Sequence, residues 1–109
     1  MNITTRTVND VLVADVSGRL DTRTSGPASE EMSRIAAGSS KVLLNFENLE
    51  FISSSGLRVL LRTAKQLTGS GGAMKLCGAN GIVKEVMEIS GLGTLLDLHD
   101  SEQDALSAF

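Results

Sequence analysis

The chain has 109 residues with 10 basic and 13 acidic side chains, a net charge of −3, and aromatic content limited to three Phe. That balance excludes the basic footprint of a nucleic-acid binder, and the lack of Trp and Tyr removes the stacking platforms of single-strand binders. No apolar run approaches the ~20 residues of a membrane span, no secretory signal opens the chain, and the single Cys77 makes no internal disulfide, which suits a reducing cytoplasm.

The length fits one domain over residues 1–109. Residues 2–7 and 11–17 read as two strands joined at Asn9-Asp10, a pair that tolerates the positive φ of a hairpin turn. The first mixes Thr, Arg and Val and looks like a sheet edge. In the second, Val11, Val13 and Asp15 alternate with Leu12, Ala14 and Val16, so it is apolar at most positions and belongs inside a sheet. Gly18 to Thr24 reads as a loop into a helix capped by Ser25, with Pro27 in its first turn and Ala28, Met32, Ile35 and Ala36 as its apolar stripe. Glu30 and Glu31 near its start and Arg34 near its end would complement the helix dipole.

Lys41 to Phe46 is a continuous apolar run, the pattern of a buried parallel strand. A short acidic connector and three serines, Ser53, Ser54 and Ser55, then lead into a second helix. Its apolar positions Leu57, Leu60, Leu61, Ala64 and Leu67 mark one face, with Arg58, Arg62, Lys65 and Gln66 on the wet side. The glycine cluster Gly69, Gly71 and Gly72 lacks the Gly-Lys-[Ser/Thr] ending of a phosphate loop and follows a helix, so it reads as a plain connection. Ala73 to Gly78 is the next strand. Asn80 caps a third helix that buries Ile82, Val83, Val86, Met87 and Ile89. Thr94 to Leu98 is a last short strand, and Ser101 to Asp104 a capping-box-like start of a terminal helix. The order ββαβαβαβα argues an α/β fold with a mixed, mostly parallel sheet packed with about four helices.

Catalysis and metal binding find little support. A serine nucleophile needs a base and a third residue orienting it, and the one histidine, His99, reads as a lone surface residue. One His and one Cys give no metal-ligand spacing, and Cys77 reads as a small core residue. No cofactor is expected. Three adjacent serines, however, exceed what one N-cap requires.

Phe51-Ile52-Ser53-Ser54-Ser55-Gly56-Leu57, preceded by Leu44-Asn45-Phe46-Glu47-Asn48-Leu49, resembles the signature of STAS domains of the anti-sigma factor antagonist family. Ser17-Gly18-Arg19-Leu20-Asp21 resembles the family's Gly-x-Leu-Asp stretch, and Ile89-Ser90-Gly91-Leu92 and Ser101 to Leu106 resemble its later helices. The resemblance implies the STAS fold and a regulatory binding protein rather than an enzyme. Such a protein captures an anti-sigma factor that is a serine kinase of the histidine-kinase-like ATPase type. It is released when phosphorylated on a serine, is reset by a serine phosphatase, and is a monomer when free. Ser54 matches the phosphorylated position, with Ser55 and Ser53 as successive alternatives. Ser53 stands where the family usually carries aspartate. Asp21, Thr22, Thr24, Ser53, Ser55, Gly56, Leu57 and Arg58 are the partner-binding residues that the resemblance implies. The alternatives are the same switch wired to a non-sigma output, and a nucleotide-binding STAS protein.

Overall fold

The chain opens with a hairpin whose turn is set locally. Asn9 and Asp10 take φ of 50° and 63°, the two left-handed residues that match the twist of the flanking strands. The computed structural model, which describes residues 1–109, pairs β1 (Asn2–Val8) antiparallel with β2 (Val11–Leu20), with Val8 opposite Val11. There follow α1 (Ser25–Gly38), β3 (Lys41–Asn45), β4 (Leu49–Ile52), α2 (Ser54–Gly69), β5 (Ala73–Cys77), α3 (Gly81–Ser90), α4 (Leu92–Leu95), β6 (Leu98–His99) and α5 (Glu102–Ser107). The strand order is β1-β2-β3-β5-β6, with β4 pairing β2. Every pairing after the hairpin is parallel. This is the mixed, mostly parallel sheet expected, with β1 at the edge and two elements, β4 and α4, added to the order.

β2 serves two neighbours in succession. Leu12 to Asp15 run beside Val42 to Asn45 of β3, and past an irregularity at Gly18 and Arg19 the strand runs beside β4 instead. Gly18 sits at φ +87°, a backbone region that side chains with a Cβ rarely adopt and that suits a bulge. The segment Gly18 to Leu20, expected as loop, is therefore strand. The expected acidic connector contains β4, in which Leu49 and Ile52 are buried and Glu50 is exposed. Four residues of weak alternation announce no strand alone; the pairing with β2 makes it one.

The two sheet faces are covered unequally. On one, Val16, Leu44, Phe46 and Leu76 pack with Met32 of α1, Leu60 of α2 and Met87 of α3 in the main core. On the other, α5 lays Ala105 over Val11, Val13, Leu43 and Cys77. Cys77 is buried there, as its setting in the sequence predicts.

Several local expectations change. Ala28, Met32, Ile35 and Ala36 are the buried stripe of α1, but Thr24 is its N-cap and makes no side-chain cap bond. The Ser25 hydroxyl instead donates to the Thr22 carbonyl at 3.2 Å. Glu30, Glu31 and Arg34 fall outside the terminal turns, so they do not complement the dipole; Glu31 pairs with Arg34. The Asn80 side chain does not cap α3 but donates to the Glu47 carbonyl at 2.9 Å. Val83 and Met87 are buried, whereas Ile82 is 49% and Ile89 80% exposed. These two are i and i+7, one line along a helix that meets the sheet only through the neighbouring stripe. The expected strand from Thr94 to Leu98 is a helical turn closed by the Leu96 amide donating to Leu92 at 2.7 Å, and strand pairing is limited to Leu98–His99. His99 is half-buried rather than a surface residue, its Nε2 2.9 Å from Asp97 Oδ1 without the alignment of a hydrogen bond. The glycine cluster is a plain connection, with the Gly72 amide donating to Leu67 at 2.8 Å to close the end of α2.

The largest change is the rotation of α2. Its buried residues are Gly56, Val59, Leu60, Thr63 and Leu67, while Leu57, Leu61 and Ala64 are only half-buried. At 100° per residue the mean direction of this face lies about 80° from that of Leu57, Leu60, Leu61, Ala64 and Leu67. Thr63 fits the core because its hydroxyl donates to the Val59 carbonyl at 2.8 Å.

Candidate functional site

The parallel pairing of β2 with β4 brings two connections to one end of the sheet: the loop from Leu20 into α1, and the turn from Ile52 into α2. They are joined directly, because the Ser53 amide donates to the Leu20 carbonyl at 2.9 Å. The helix then starts under close steric control. A Cβ on Gly56 would lie 2.8 Å from both the Leu20 carbonyl oxygen and Leu20 Cγ, and 2.9 Å from Ile52 Cγ1. Only glycine lets α2 sit this close to the two strands.

The three serines divide the work. Ser53 is the N-cap, its Oγ accepting from the Gly56 amide at 3.4 Å. Ser55 is half-buried, its Oγ 3.4 Å from Thr22 Oγ1 across the junction. Ser54 is the first residue of the helix, exposed, and its hydroxyl makes no protein hydrogen bond. Helix geometry leaves the first-turn N–H groups without intrahelical acceptors and places the positive end of the dipole there. An anionic group on Ser54 would find a favourable field without disturbing the cap.

The facing loop is pre-shaped by Asp21 and Thr24. Asp21 Oδ1 accepts from the amides of Arg23 at 3.0 Å and Thr24 at 3.2 Å, while Thr24 Oγ1 accepts from the Asp21 amide at 2.9 Å and donates to the Arg19 carbonyl at 2.9 Å. Desolvation pushes the Asp21 carboxyl up, but the backbone N–H groups of Arg23 and Thr24, the Thr24 hydroxyl and the Arg19 charge outweigh it and leave the pKa lowered. A fixed negative charge therefore stands at this face at neutral pH. Arg19 also lies over the Phe51 ring at 4.4 Å from its centroid.

The residues singled out in the sequence thus gather at one junction, in different capacities. Thr22, Ser54 and Arg58 are exposed, and Asp21, Ser55 and Leu57 half-exposed. Gly56 is buried and the Thr24 hydroxyl is spent on the loop, so these two position the face rather than form it. The pair Arg19 and Phe51, present in the quoted motifs but not singled out as site residues, belongs to the same junction. Its signal was the apolar Phe51 within the unrecognised β4. No carboxylate lies within 4.0 Å of Arg23, Arg58, Arg62 or Lys65.

Comparison with known proteins bears on this arrangement. The chain is 33% identical over 110 residues to BtrV of Bordetella bronchiseptica, covering 100% of this chain and 95% of that protein. It is 33% identical over 99 residues to the anti-sigma F factor antagonist of Paenibacillus polymyxa, covering 89% and 85%. The fold matches the Bacillus protein SpoIIAA, solved in its unphosphorylated form, with a TM-score of 0.80 at 24% identity over 98% of this chain and 95% of that one. The phosphorylated form matches with a TM-score of 0.73 at 23% identity over 98% of each chain. The family model described as the STAS domain matches residues 2–105, and the chain belongs to the STAS-domain family.

Proposed function

We propose that this protein is an anti-sigma factor antagonist in a partner-switching pathway. Unphosphorylated, it binds an anti-sigma factor that is also its serine kinase, of the histidine-kinase-like ATPase type. Phosphorylation of Ser54 ends that complex, and a serine phosphatase restores it. The names of the relatives support the antagonist role, and SpoIIAA, which shares the fold, has been solved with and without phosphate.

The observation that carries the reading is the division of labour among the serines. Ser53 holds the cap, so the Ser54 hydroxyl is exposed and free at the head of α2. Phosphate there adds roughly −1.5 to −2 charges beside orphan N–H groups. The helix tolerates it, but a partner packed against this surface meets a large, desolvated anion. The asymmetry gives a switch without a large conformational change.

The test begins with the kinase that copurifies with the chain from its source cells. Incubation of the two with ATP should add one phosphate, mapped to Ser54. Ser54→Ala should abolish the added mass and keep binding, whereas Ser54→Asp should weaken binding by roughly 30-fold or more, on the scale of an unpaired charge at an interface. Equal affinity of the Ala, Asp and phosphorylated forms would overturn the switch.

A further inference from the structure

The rotation of α2 has a consequence for its outer surface. Gly56 and Thr63 occupy positions on the buried side, where larger apolar residues would usually stand, while Leu57, Leu61 and Ala64 are half-open to solvent. Leu61 and Ala64 line a groove closed on its far side by Leu95 of α4, which is 69% exposed. Lys65 lines the groove, and Arg58 and Arg62 stand exposed on the same helix in the two turns before it; none of the three has a carboxylate within 4.0 Å. The chain as a whole carries −3, so this uncompensated positive row is a local concentration against the net charge. Single exposed leucines are ordinary. An apolar groove on a helix that carries free cations and begins at Ser54 is a surface with a definite complement.

We propose that the outer face of α2, from Arg58 to Lys65 and including the groove closed by Leu95, is a second contact zone for the same protein partner. That partner inserts an apolar side chain between Leu61 and Leu95 and sets carboxylates against Arg62 and Lys65. The inference rests on the partner reading above and extends it by about two helical turns, from the head of α2 to its middle. Charge complementarity fixes the sign of the partner surface, and continuity along one helix fixes its direction. It also separates the two tasks of the interface. The junction at Ser54 senses phosphate, whereas the zone along α2 supplies affinity and partner choice, since apolar anchors contribute to slow dissociation and exposed charges steer association.

Titration of the copurifying kinase, purified, against the wild-type chain, Leu61→Asp, and the double variant Arg62→Glu/Lys65→Glu tests this. Arg62 and Lys65 are exposed, so the double variant should match the wild-type unfolding midpoint. Leu61 is half-buried against the core, so Leu61→Asp should unfold somewhat earlier, and its binding is compared at a temperature where both chains are folded. Leu61→Asp is expected to weaken binding at least tenfold. The double reversal should weaken it at least tenfold at low salt and flatten the salt dependence seen with the wild type. Both variants should keep the Ser54 hydroxyl as the acceptor when the kinase is supplied in excess. Wild-type affinity in both variants, with the wild type itself bound and phosphorylated on Ser54, would overturn the zone while leaving the switch intact. A wild-type chain that does not bind the kinase would overturn the switch and the zone together. A basic-apolar helix face also suits an anionic lipid surface. Sedimentation with phosphatidylglycerol vesicles that is lost in Arg62→Glu/Lys65→Glu would therefore overturn the proposal in favour of a membrane.

Discussion

The Ser53 amide and the Leu20 carbonyl meet at 2.9 Å, so the end of β2 and the cap of α2 are a single hydrogen bond apart. Everything at the candidate site is referenced to that bond. The loop shaped by Asp21 leaves β2 one residue after it, and Ser54 leaves the cap one residue after it. Neither side can shift without moving the other.

Gly56→Ala tests how tightly the junction is held. In an open helix the change would stabilise by up to ~1 kcal/mol through helix propensity. Here the added Cβ would meet the Leu20 carbonyl oxygen at 2.8 Å, and a backbone atom cannot swing away as a side chain can. Overpacking of this kind costs about 1–3 kcal/mol, so the clash wins. Denaturant unfolding should show a lower midpoint with an unchanged slope, and the variant should also bind the kinase more weakly. A higher midpoint would mean the junction relaxes freely.

Much of the fold was legible in the sequence because its strands and helices are strongly patterned, as with the apolar run Val42 to Leu44 and the stripe of α1. What escaped were features decided by neighbours rather than by local pattern. β4 exists because β2 runs on past Gly18 to pair with it. The direction α2 faces is decided by the close approach at Gly56 and the satisfied hydroxyl of Thr63, and hydropathy alone assigns such residues to the wet side. The serines and Asp21 were visible through a family resemblance, yet their separate duties as cap, free hydroxyl and loop brace follow only from the hydrogen bonds.

A second prediction concerns acid. On the sheet edge Arg6 Nε pairs with Asp15 at 2.8 Å and its other nitrogens reach Glu102, linking β1, β2 and the start of α5. The Arg6 hydrogen bond, helped by the Asn45 amide at 2.8 Å, lowers the Asp15 pKa against the opposing effect of burial. Lys75 does the same for Asp97. A depressed carboxylate pKa contributes stability that is present above the unfolded value near ~4 and lost as pH falls through the folded value. Wild-type stability should therefore drop as pH falls below ~4 and through the lowered folded values. Arg6 and Asp15 are 40% and 33% exposed, so solvent screening limits Arg6→Ala to about 1 kcal/mol at pH 7. The difference between wild type and Arg6→Ala should close once the carboxylates are protonated. Urea midpoints for both proteins across this range decide it. A difference that persists in acid would mean that Arg6 acts through packing.

A third prediction concerns Cys77. Burial, assisted by the Glu102 and Asp15 charges, pushes its thiol up to about 11. The thiolate is the reactive form, and the Cys77 side chain lies under α5 against Asn45. A disulfide reagent at pH 8 should label the native protein slowly and the unfolded protein at once. Labelling of the native protein should follow the opening of α5, so Arg6→Ala, which releases Glu102, should accelerate it. Rapid labelling of the folded wild type would show that α5 does not protect this face.

The last prediction separates the two roles of Asp21. Its Oδ1 accepts from the amides of Arg23 and Thr24, and its other oxygen lies 3.7 Å from Arg19 Nε. The residue therefore shapes the loop and also presents a charge to whatever docks at the junction. Asp21→Ala removes both and confounds them. Asp21→Asn keeps a side-chain oxygen able to accept from the two amides but discards the charge, and Asp and Asn serve comparably in such local backbone-capping turns. If the partner reads the charge, Asp21→Asn should unfold near the wild-type midpoint yet bind the kinase at least tenfold more weakly, a loss of about 1.4 kcal/mol or more in binding free energy. Asp21→Ala should lose affinity to a similar or greater extent and also unfold earlier. If Asp21 serves only to shape the loop, Asp21→Asn should bind like the wild type and Asp21→Ala should fail in proportion to its loss of stability. Calorimetric titration of the three proteins against the kinase, beside their unfolding curves, distinguishes these outcomes, because charge recognition moves affinity in the Asn variant without moving the fold.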